Sequence, residues 1–342
     1  MTTRAIGAKK WLRLSELEEY GALSRARLRH LVEVREPLVL ISQIQRSGGT
    51  LLSQLFDGHV ECHAHPQQLH IGYPSSRDWP PLALDEPDGC FSVLFEKKAG
   101  FHLRKGYRKS RLADRDSFPF CFLPRLQHAI FNQCMTARPA EGDRDVLDCY
   151  FTSYFNAWLD NHNLYTGPKK IVTGFAPRLS EKLANVERFV AAYPDGTLVS
   201  LVRDPRAWYL SMQAGPLRAK WSDVESGVRA WRTSVEAAIE ASERFAGRVV
   251  LLTYEQLVSD TERTMTRLAN ALGITMSPVL LTPTFNGRPI RANSRVAVGR
   301  HGIIPERMTA YRESLDATTI EQIEALAGDL YERAAALSIA AA

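Results

Sequence analysis

A loop rich in glycine and hydroxyl side chains follows the first apolar run of the chain. That run, Leu38-Val39-Leu40-Ile41, is long enough for a buried strand, and a helical pattern begins near Leu51. Glycines let backbone N–H groups close around an oxyanion, and a helix N-terminus and nearby hydroxyls add further attraction. The loop therefore predicts a phosphate-binding site that comprises Arg46, Ser47, Gly48, Gly49, Thr50 and Leu51.

This loop differs from the pattern of common nucleoside triphosphatases. No lysine precedes Thr50, and no glycine lies five residues before Gly48, although the pattern G-x-x-x-x-G-K-[ST] requires both. An ordinary ATPase or kinase is therefore disfavoured. A P-loop kinase-like phosphotransferase and a non-catalytic nucleotide-binding protein remain the alternative interpretations.

Two later segments carry side chains suited to the same kind of ligand. Arg203 follows the apolar run Thr197–Val202, and Ser211 comes eight residues after it within a helical pattern. An arginine offers a planar, permanently charged fork to a phosphate, and a serine hydroxyl can donate beside it. The third segment is Tyr254-Glu255-Gln256-Leu257-Val258, directly after another apolar run.

Together the three motifs resemble the sulfotransferases that use 3′-phosphoadenosine 5′-phosphosulfate (PAPS). The string Arg46–Leu52 and the YEQLV string are most similar to the branch of tyrosylprotein and related bacterial sulfotransferases. The resemblance implies an α/β fold of the P-loop-containing type and transfer of a sulfuryl group to a hydroxyl, for example of a carbohydrate. It further implies that Arg46 is catalytic, that Arg203 and Ser211 hold the 3′-phosphate, that Tyr254 contacts the adenine, and that Arg300 closes over the nucleotide.

The base that would accept the proton of the acceptor is not carried over by the resemblance. That branch places a glutamate about twenty residues after the loop arginine, where this chain has Gln67 and Gln68. The cytosolic branch uses a histidine, but the matching segment 173–177 has none. A histidine suits proton transfer near neutral pH. We predict His65 as the base, with His63, His70 and Glu61 as the other candidates.

The same histidine-rich segment could also suggest zinc. It holds His59, Cys62, His63, His65 and His70, but their spacing matches no structural zinc pattern. We therefore expect no metal, and a cationic side chain at position 46 would take the role that magnesium has in other phosphate-transfer sites.

The apolar pattern places these motifs in a single α/β domain with a parallel sheet flanked by helices. Strands are predicted at residues 38–41, 170–172, 197–202 and 249–252, with helices between them. Residues 60–165 lack a clean period, so loops and short helices are expected there. The prediction is one domain over 1–342, with a cofactor core at about 36–60 and 168–305 and an acceptor-facing insertion at about 61–167.

Composition limits the class of protein further. The chain has 342 residues, 45% of them hydrophobic, and a formal net charge of +5, which is too small to indicate nucleic acid binding. Five cysteines without a Cys-x-x-Cys pair favour a reducing, cytoplasmic location and no disulfide framework. No segment is apolar enough to span a bilayer. Seven cations within residues 97–111 suggest an anionic acceptor surface or a solvated face.

Overall fold

A five-stranded parallel sheet forms the centre of the fold. The computed structural model describes residues 18–71, 78–95, 106–107, 118–219, 221, 223–290 and 300–340. The strands follow the order β2-β3-β1-β4-β5, and every neighbouring pair is parallel. This arrangement confirms the predicted fold class. The strands are β1 (Leu38–Ile41), β2 (Cys62–Gln68), β3 (Ile171–Phe175), β4 (Thr197–Val202) and β5 (Val249–Thr253), with a short hairpin of β6 (Thr284–Phe285) and β7 (Arg288–Pro289).

Helices cover both faces of this sheet. Short 3-10 turns lie at Leu179–Glu181, Pro216–Ala219, Pro278–Leu281 and Pro305–Met308. The α-helices are α1 (18–29), α2 (Gly49–Leu55), α3 (Pro87–Leu94), α4 (Pro124–Ala137), α5 (Asp143–Ala157), α6 (Leu183–Ala192), α7 (Pro205–Gln213), α8 (Val224–Arg244), α9 (Tyr254–Ser259), α10 (Thr261–Ala271), α11 (Tyr311–Ser314) and α12 (Ala317–Ala336).

The register of three adjacent strands, β1, β4 and β5, brings distant parts of the chain to one end of the sheet. All four residues of β1 are buried, because strands on both sides and helices on both faces enclose it. Ile41 pairs with Val199 of β4, and Val202 pairs with Thr253 of β5. The loop after β1, Arg203 after β4 and Tyr254 after β5 therefore follow the carboxyl ends of adjacent strands, where ligands bind in open α/β sheets.

The expectation of irregular structure over residues 60–165 is wrong. Cys62–Gln68 forms the edge strand β2, and α4 and α5 have 14 and 15 residues. The period was obscured because α5 is buried on most of its surface: eleven consecutive residues from 147 to 157 include ten buried positions. A helix enclosed on nearly all sides carries no polar face that would mark its period. The central sheet thus includes a strand from the range predicted to be an acceptor-facing insertion.

A disulfide that the cysteine count did not suggest joins two of these helices. Cys134 of α4 and Cys149 of α5 are bonded, whereas Cys62, Cys90 and Cys121 are free. The expectation that the cysteines stay unpaired is therefore wrong for this pair. Their Cα atoms lie 5.6 Å apart because α4 and α5 pack against each other along their length.

A buried carboxyl on α5 makes stability depend on pH. Burial raises the pKa of Asp148 to about 6, although the Tyr193 hydroxyl donates to its Oδ1 at 2.8 Å. In an unfolded chain the pKa of an aspartate is about 3.9, so the folded protein binds the proton of the Asp148 carboxyl more tightly than the unfolded chain does. The free energy of unfolding should therefore fall as pH rises from about 4 to about 6, with the full loss above that window.

Replacement of Asp148 by asparagine should remove this effect. The amide oxygen can still accept from Tyr193, but it does not titrate. We expect the variant to be more stable than wild type by about 1–2 kcal/mol at pH of about 8, and to show a flatter stability profile below it. Urea unfolding across this pH range measures both. Parallel profiles for the two proteins would contradict the assignment.

Candidate cofactor cleft

The loop between β1 and α2 is held in place by two side chains from other helices. The Trp208 indole donates to the carbonyl oxygen of Gln45 at 2.7 Å, and Ser234 Oγ accepts from the amide of Ile44 at 3.1 Å. Trp208 is fully buried. The loop is therefore a preformed element whose shape is set by α7 and α8 as well as by its own glycines.

Both loop glycines are required by close packing. Gly48 has φ of 104°, and a Cβ atom there would lie 2.5 Å from Cδ2 of Tyr254. At Gly49 a Cβ atom would lie 2.1 Å from Nε2 of Gln43 and 2.6 Å from the Phe175 ring. The sequence indicated flexibility at these positions, but the structure shows that the absence of a side chain matters equally.

Arg46 adopts a backbone conformation that is unusual for its residue type. Its φ is 75°, in the left-handed region, which costs a residue with a Cβ atom about 1–2 kcal/mol. Its Nε donates to Ser211 Oγ at 3.1 Å. Ser211 is therefore in contact with the loop arginine, whereas the motif alone suggested that it would lie beside Arg203.

Arg203 is a buried cation that the structure pairs with carbonyl oxygens. Its side chain donates from Nη1 to the carbonyl of Arg46 at 3.0 Å and from Nη2 to that of Arg307 at 3.2 Å. The guanidinium lies over the Tyr254 ring at 4.5 Å, and the residue is 3% exposed. Within the described ranges no carboxylate forms an ion pair with it, and its Nε has no partner.

Burial favours an anionic partner for this arginine. Burial lowers the pKa of Arg203, and the nearby carboxyl groups of Glu255 and Asp204 raise it without accepting a hydrogen bond from its side chain. A guanidinium stays protonated in proteins. A buried charge is costly unless it is paired. Ser47 adds a buried polar group, a neutral hydroxyl whose Oγ has no partner in the described part of the chain. Both features fit a ligand that carries phosphate oxygens.

Arg46, Arg203 and Tyr254 line one cleft at the carboxyl ends of the strands. Of the residues predicted from sequence, Ser47, Gly49, Ser211 and Arg300 do not line it. Three further side chains that sequence reasoning missed, Gln54, Pro283 and Arg307, do line it. The complete lining is Arg46, Gly48, Thr50, Leu51, Gln54, Arg203, Tyr254, Pro283, Gly302, Ile303, Ile304 and Arg307.

Of the arginines that the structure describes in the C-terminal segment, Arg307 lines the cleft and Arg300 does not. Arg300 is exposed, and its Nη1 donates to Glu306 at 3.0 Å. Arg307 lies in the 3-10 turn Pro305–Met308, whose backbone contacts Arg203. Several arginines compete in this part of the sequence, and only the turn that directs the backbone toward Arg203 distinguishes them.

The predicted base, His65, lies inside the fold and away from the lining of the cleft. It is 1% exposed in the middle of β2, and its ring centroid lies 4.2 Å from that of Tyr154. Its Nδ1 is 3.0 Å from the carbonyl oxygen of Gln67. A small cavity next to His65 shares Gln54 with the cleft, so this glutamine separates the histidine from the cofactor residues.

The other candidates for the base are Glu61, His63 and His70, and the contacts and burial of the first two make them poor proton acceptors. Glu61 accepts from Lys170 Nζ at 2.6 Å and from the Thr275 amide at 2.6 Å, and these partners hold the pKa of its carboxyl below the usual range. Burial lowers the pKa of His63 to about 3, which makes it a poor proton acceptor. His70 is half-buried.

Asp57 is a carboxyl near His65 that the sequence did not single out. It lines the same small cavity, and burial raises its pKa. Its Oδ2 accepts from Thr284 Oγ1 at 2.6 Å and from the Gly287 amide at 2.9 Å. Gln67 and Gln68 end β2, and Nε2 of the buried Gln67 has no partner among the described residues.

The histidine-rich segment does not form a metal site in the described ranges. His59 Nδ1 accepts from the amide of Glu61 at 3.2 Å, and its Nε2 lies 2.9 Å from the carbonyl oxygen of Thr275. Within the part of the chain that the structure describes, no three His, Cys, Asp or Glu side chains converge. In the same ranges, no helix has the length and apolar character needed to cross a membrane. Most of the basic run 97–111 lies outside the described residues.

Comparison with solved structures finds similar proteins of low sequence identity, several of which are sulfotransferases. The sulfotransferase domain from the curacin biosynthetic pathway is 15% identical, with a TM-score of 0.46 and coverage of 85% of this chain and 96% of that chain. Sulfotransferase STF9 from Mycobacterium avium is 16% identical, with a TM-score of 0.41 and coverage of 90% and 79%. Retinol dehydratase, solved with retinol and PAP, is 15% identical, with a TM-score of 0.39 and coverage of 90% and 86%.

The family assignment rests on a separate match. No curated protein matches the chain. The model of the sulfotransferase family, in contrast, matches residues 37–278, which include all three sequence motifs. The resemblance stated for those motifs is thus confirmed at the level of the family. Since the matched segment is well over half of the chain, the protein belongs to the sulfotransferase family.

Proposed function

We propose that this protein transfers a sulfuryl group from PAPS to a hydroxyl group of an acceptor. The observation that carries the proposal is that two arginines, Arg46 and Arg203, line the same cleft. Arg203, a buried cation with no carboxylate partner in the described ranges, donates to the backbone of Arg46 at 3.0 Å. One ligand with two separate anionic ends, such as PAPS, matches two cations on neighbouring strand ends.

The cleft residues fit PAPS in both charge and shape. The loop amides with Ser47 and Thr50 would hold the 5′ end, and Arg203 and Arg307 would hold the 3′-phosphate. Ser211 would act through Arg46, since it accepts from that side chain. The rings and apolar side chains of Tyr254, Leu51 and Ile304 would enclose the adenine. In the described lining no aspartate or glutamate is present to hold magnesium, so the donor set suits a polyanion better than a metal-bound triphosphate.

Arg46 would supply the main electrostatic contribution to catalysis. PAPS, when bound, supplies an activated sulfuryl group attached to a phosphate leaving group. The guanidinium of Arg46 stabilises the negative charge that develops on that phosphate, and Ser211 orients the guanidinium through Nε. A cation positioned before the reaction begins lowers the barrier more than one that must move into place.

His65 would accept the proton of the acceptor hydroxyl. Its Nδ1 is held at the Gln67 backbone, and four aromatic rings from α5 fix the plane of the imidazole. A histidine base must reach the hydroxyl directly or through one water. The small cavity that His65 lines adjoins the cleft at Gln54, and this is the side from which an acceptor hydroxyl would approach.

Calorimetric titration with adenosine 3′,5′-bisphosphate and with ATP tests the proposed donor class. We expect saturable, magnesium-independent binding of the bisphosphate and weaker binding of ATP. An assay with labelled sulfate donor and a panel of phenols, alcohols and saccharides then tests transfer. If ATP bound more tightly than the bisphosphate and required magnesium, the phosphotransferase alternative would replace this proposal.

Replacement of Arg203 by alanine is expected to weaken the binding of adenosine 3′,5′-bisphosphate. Loss of a charged hydrogen bond costs about 1.5–3 kcal/mol, which corresponds to about 10–100-fold in affinity. Arg229→Ala is a matched control, because this arginine is highly exposed and forms an ion pair with Glu225 one helical turn away. The same titration measures both variants. Equal affinities of the two variants would remove Arg203 from the site.

A further inference from the structure

The peptide unit that joins Arg203 to Asp204 is held at both of its polar atoms. The Trp231 indole of α8 donates to the carbonyl oxygen of Arg203 at 2.9 Å. Glu255 Oε2, at the start of α9, accepts from the amide of Asp204 at 3.2 Å. We call this unit the Arg203 peptide. Two helices therefore fix the plane of the backbone at the point where the chain leaves β4.

The orientation of the Arg203 peptide affects where the guanidinium can lie. The far end of the side chain donates to the carbonyl oxygens of Arg46 and Arg307, and it lies over the Tyr254 ring. Because the side chain is held at both ends, a rotation of the peptide would pull the guanidinium away from these contacts. Side chains that bind a ligand keep their geometry only when neighbouring groups fix them. The two groups that hold the Arg203 peptide are such neighbours.

The carboxyl of Glu255 is itself held by the helix α12. The Tyr331 hydroxyl of α12 donates to Glu255 Oε2 at 2.9 Å, and the same oxygen accepts from the Asp204 amide. Helix α12 packs against α7 and α8, and none of the residues that line the cofactor cleft comes from it. A helix outside the cleft is thus connected to the Arg203 peptide through one carboxyl oxygen.

The position of Glu255 at the start of α9 does not by itself explain these contacts. An acidic residue in the first turn commonly stabilises a helix. Here Thr253 already caps α9, since its Oγ1 accepts from the Gln256 amide at 3.1 Å. The carboxyl of Glu255 accepts instead from two other parts of the fold, the chain after β4 and α12. Its contacts therefore concern the surroundings of Arg203.

These contacts require a hydrogen-bond acceptor more than a charge. Burial raises the pKa of Glu255, and the positive charge of Arg203 opposes that rise. The other nearby carboxyl, that of Asp204, accepts from Arg206 Nε at 3.0 Å and caps α7. Either protonation state of a glutamate, and equally the amide of a glutamine, keeps an oxygen that accepts hydrogen bonds. Replacement of Glu255 by glutamine should therefore preserve the contacts, whereas alanine removes them.

We propose that Glu255 is a positioning residue for Arg203, that Tyr331 holds its carboxyl, and that this pair sets the preference for a nucleotide with a 3′-phosphate over one without it. The inference rests on the proposed function, in which Arg203 binds the 3′-phosphate. Neither Glu255 nor Tyr331 lines the cofactor cleft, so both act through Arg203.

Calorimetric titration with two nucleotides tests the proposal. Adenosine 3′,5′-bisphosphate and adenosine 5′-monophosphate differ only in the 3′-phosphate, so the ratio of their affinities reports on Arg203. We expect Glu255→Ala to bind the bisphosphate about tenfold more weakly than wild type and the monophosphate equally well. A residue that only supports the fold would affect both nucleotides. Equal losses for the two nucleotides, or no loss for either, would overturn the proposal.

Replacement of Glu255 by glutamine separates the acceptor from the charge. Glu255→Gln should bind the bisphosphate at least as tightly as wild type, because the acceptor oxygen remains and a negative charge near Arg203 is gone. An affinity as low as that of Glu255→Ala would overturn the proposal. Glu236→Ala, on the exposed face of α8 and paired with Arg232, controls for the loss of one carboxyl.

Replacement of Tyr331 by phenylalanine tests the connection to α12, and it decides the proposal if Glu255→Ala does not fold. The change removes only the hydroxyl, so it should weaken the bisphosphate by about threefold and leave the monophosphate unaffected. Tyr165→Phe is the matched control, because that hydroxyl contacts Arg27 on an exposed residue outside the cleft. The same nucleotide preference in Tyr331→Phe and wild type would overturn the proposal.

The wild-type titrations keep this inference distinct from the proposed function. If wild type showed no preference for the bisphosphate over the monophosphate, Arg203 would not be a 3′-phosphate site, and both proposals would fall. If wild type showed the preference and both Glu255→Ala and Tyr331→Phe kept it, only the positioning role would be wrong.

Discussion

Replacement of Arg46 by glycine should lower the rate of sulfuryl transfer by about 10²–10³ while the fold stays intact. The rate falls because the guanidinium that stabilises developing charge on the leaving phosphate is gone. Stability should stay within about 1 kcal/mol of wild type, since glycine adopts the φ of 75° without strain and offsets the lost contact with Ser211. The single change to glycine therefore removes the catalytic charge without adding strain to the backbone.

Single-turnover transfer and urea unfolding measure the two effects separately. Arg46→Lys keeps the charge but loses the planar fork, so its rate should lie between those of wild type and Arg46→Gly. Arg229→Ala, on the exposed face of α8, controls for the loss of one positive charge. A fully active Arg46→Gly variant would show that another group stabilises the leaving phosphate.

Replacement of His65 by alanine should lower the transfer rate by about 10²–10⁴ and leave the affinity for adenosine 3′,5′-bisphosphate unchanged. The rate falls because the imidazole that is proposed to accept the proton of the acceptor hydroxyl is gone. The affinity is preserved because His65 does not line the cofactor cleft. Pre-steady-state transfer and calorimetry measure the two quantities.

Chemical rescue distinguishes a proton acceptor from a packing residue. His65 is buried among the aromatic rings of α5, so its loss could also disturb packing. Imidazole added to His65→Ala should restore part of the rate if the ring accepts a proton, and His128→Ala, an exposed variant, should need no rescue. If imidazole fails to restore the rate and His65→Gln is active, the base must be another group, and Asp57 becomes the next residue to replace.

Local signals in the sequence were sufficient to predict four of the five strands of the sheet and the phosphate loop, but not the edge strand β2. The run Thr197–Val202 matches β4 at both ends, and Leu38–Ile41 matches β1. Each is a continuous apolar segment with turn residues after it, and a strand buried on both faces has no other pattern. The glycine pair marked the phosphate loop, whereas the close packing that excludes a side chain at both positions is visible only in the structure.

The prediction of loops and short helices over residues 60–165 was wrong because burial there removes the alternation of polar and apolar residues that marks a helix or strand. Helix α5 is buried on nearly every side, and its buried residues include the polar Thr152, Ser153 and Asn156, so no exposed polar face marks its period. The Cys134–Cys149 bond depends on the packing of α4 against α5, and cysteine spacing contains no information about that packing.

Residue types and short-range patterns identified the family, four strands of the parallel sheet and the side chains that suit a polyanionic ligand. Which of those side chains meet follows from how the elements pack. This packing placed Ser211 against Arg46, selected Arg307 over Arg300 for the cleft, and buried His65 behind Gln54. The physical reason is that residue type and local period are set by nearby residues, whereas contacts between side chains at strand ends depend on the packing of helices far apart in the chain.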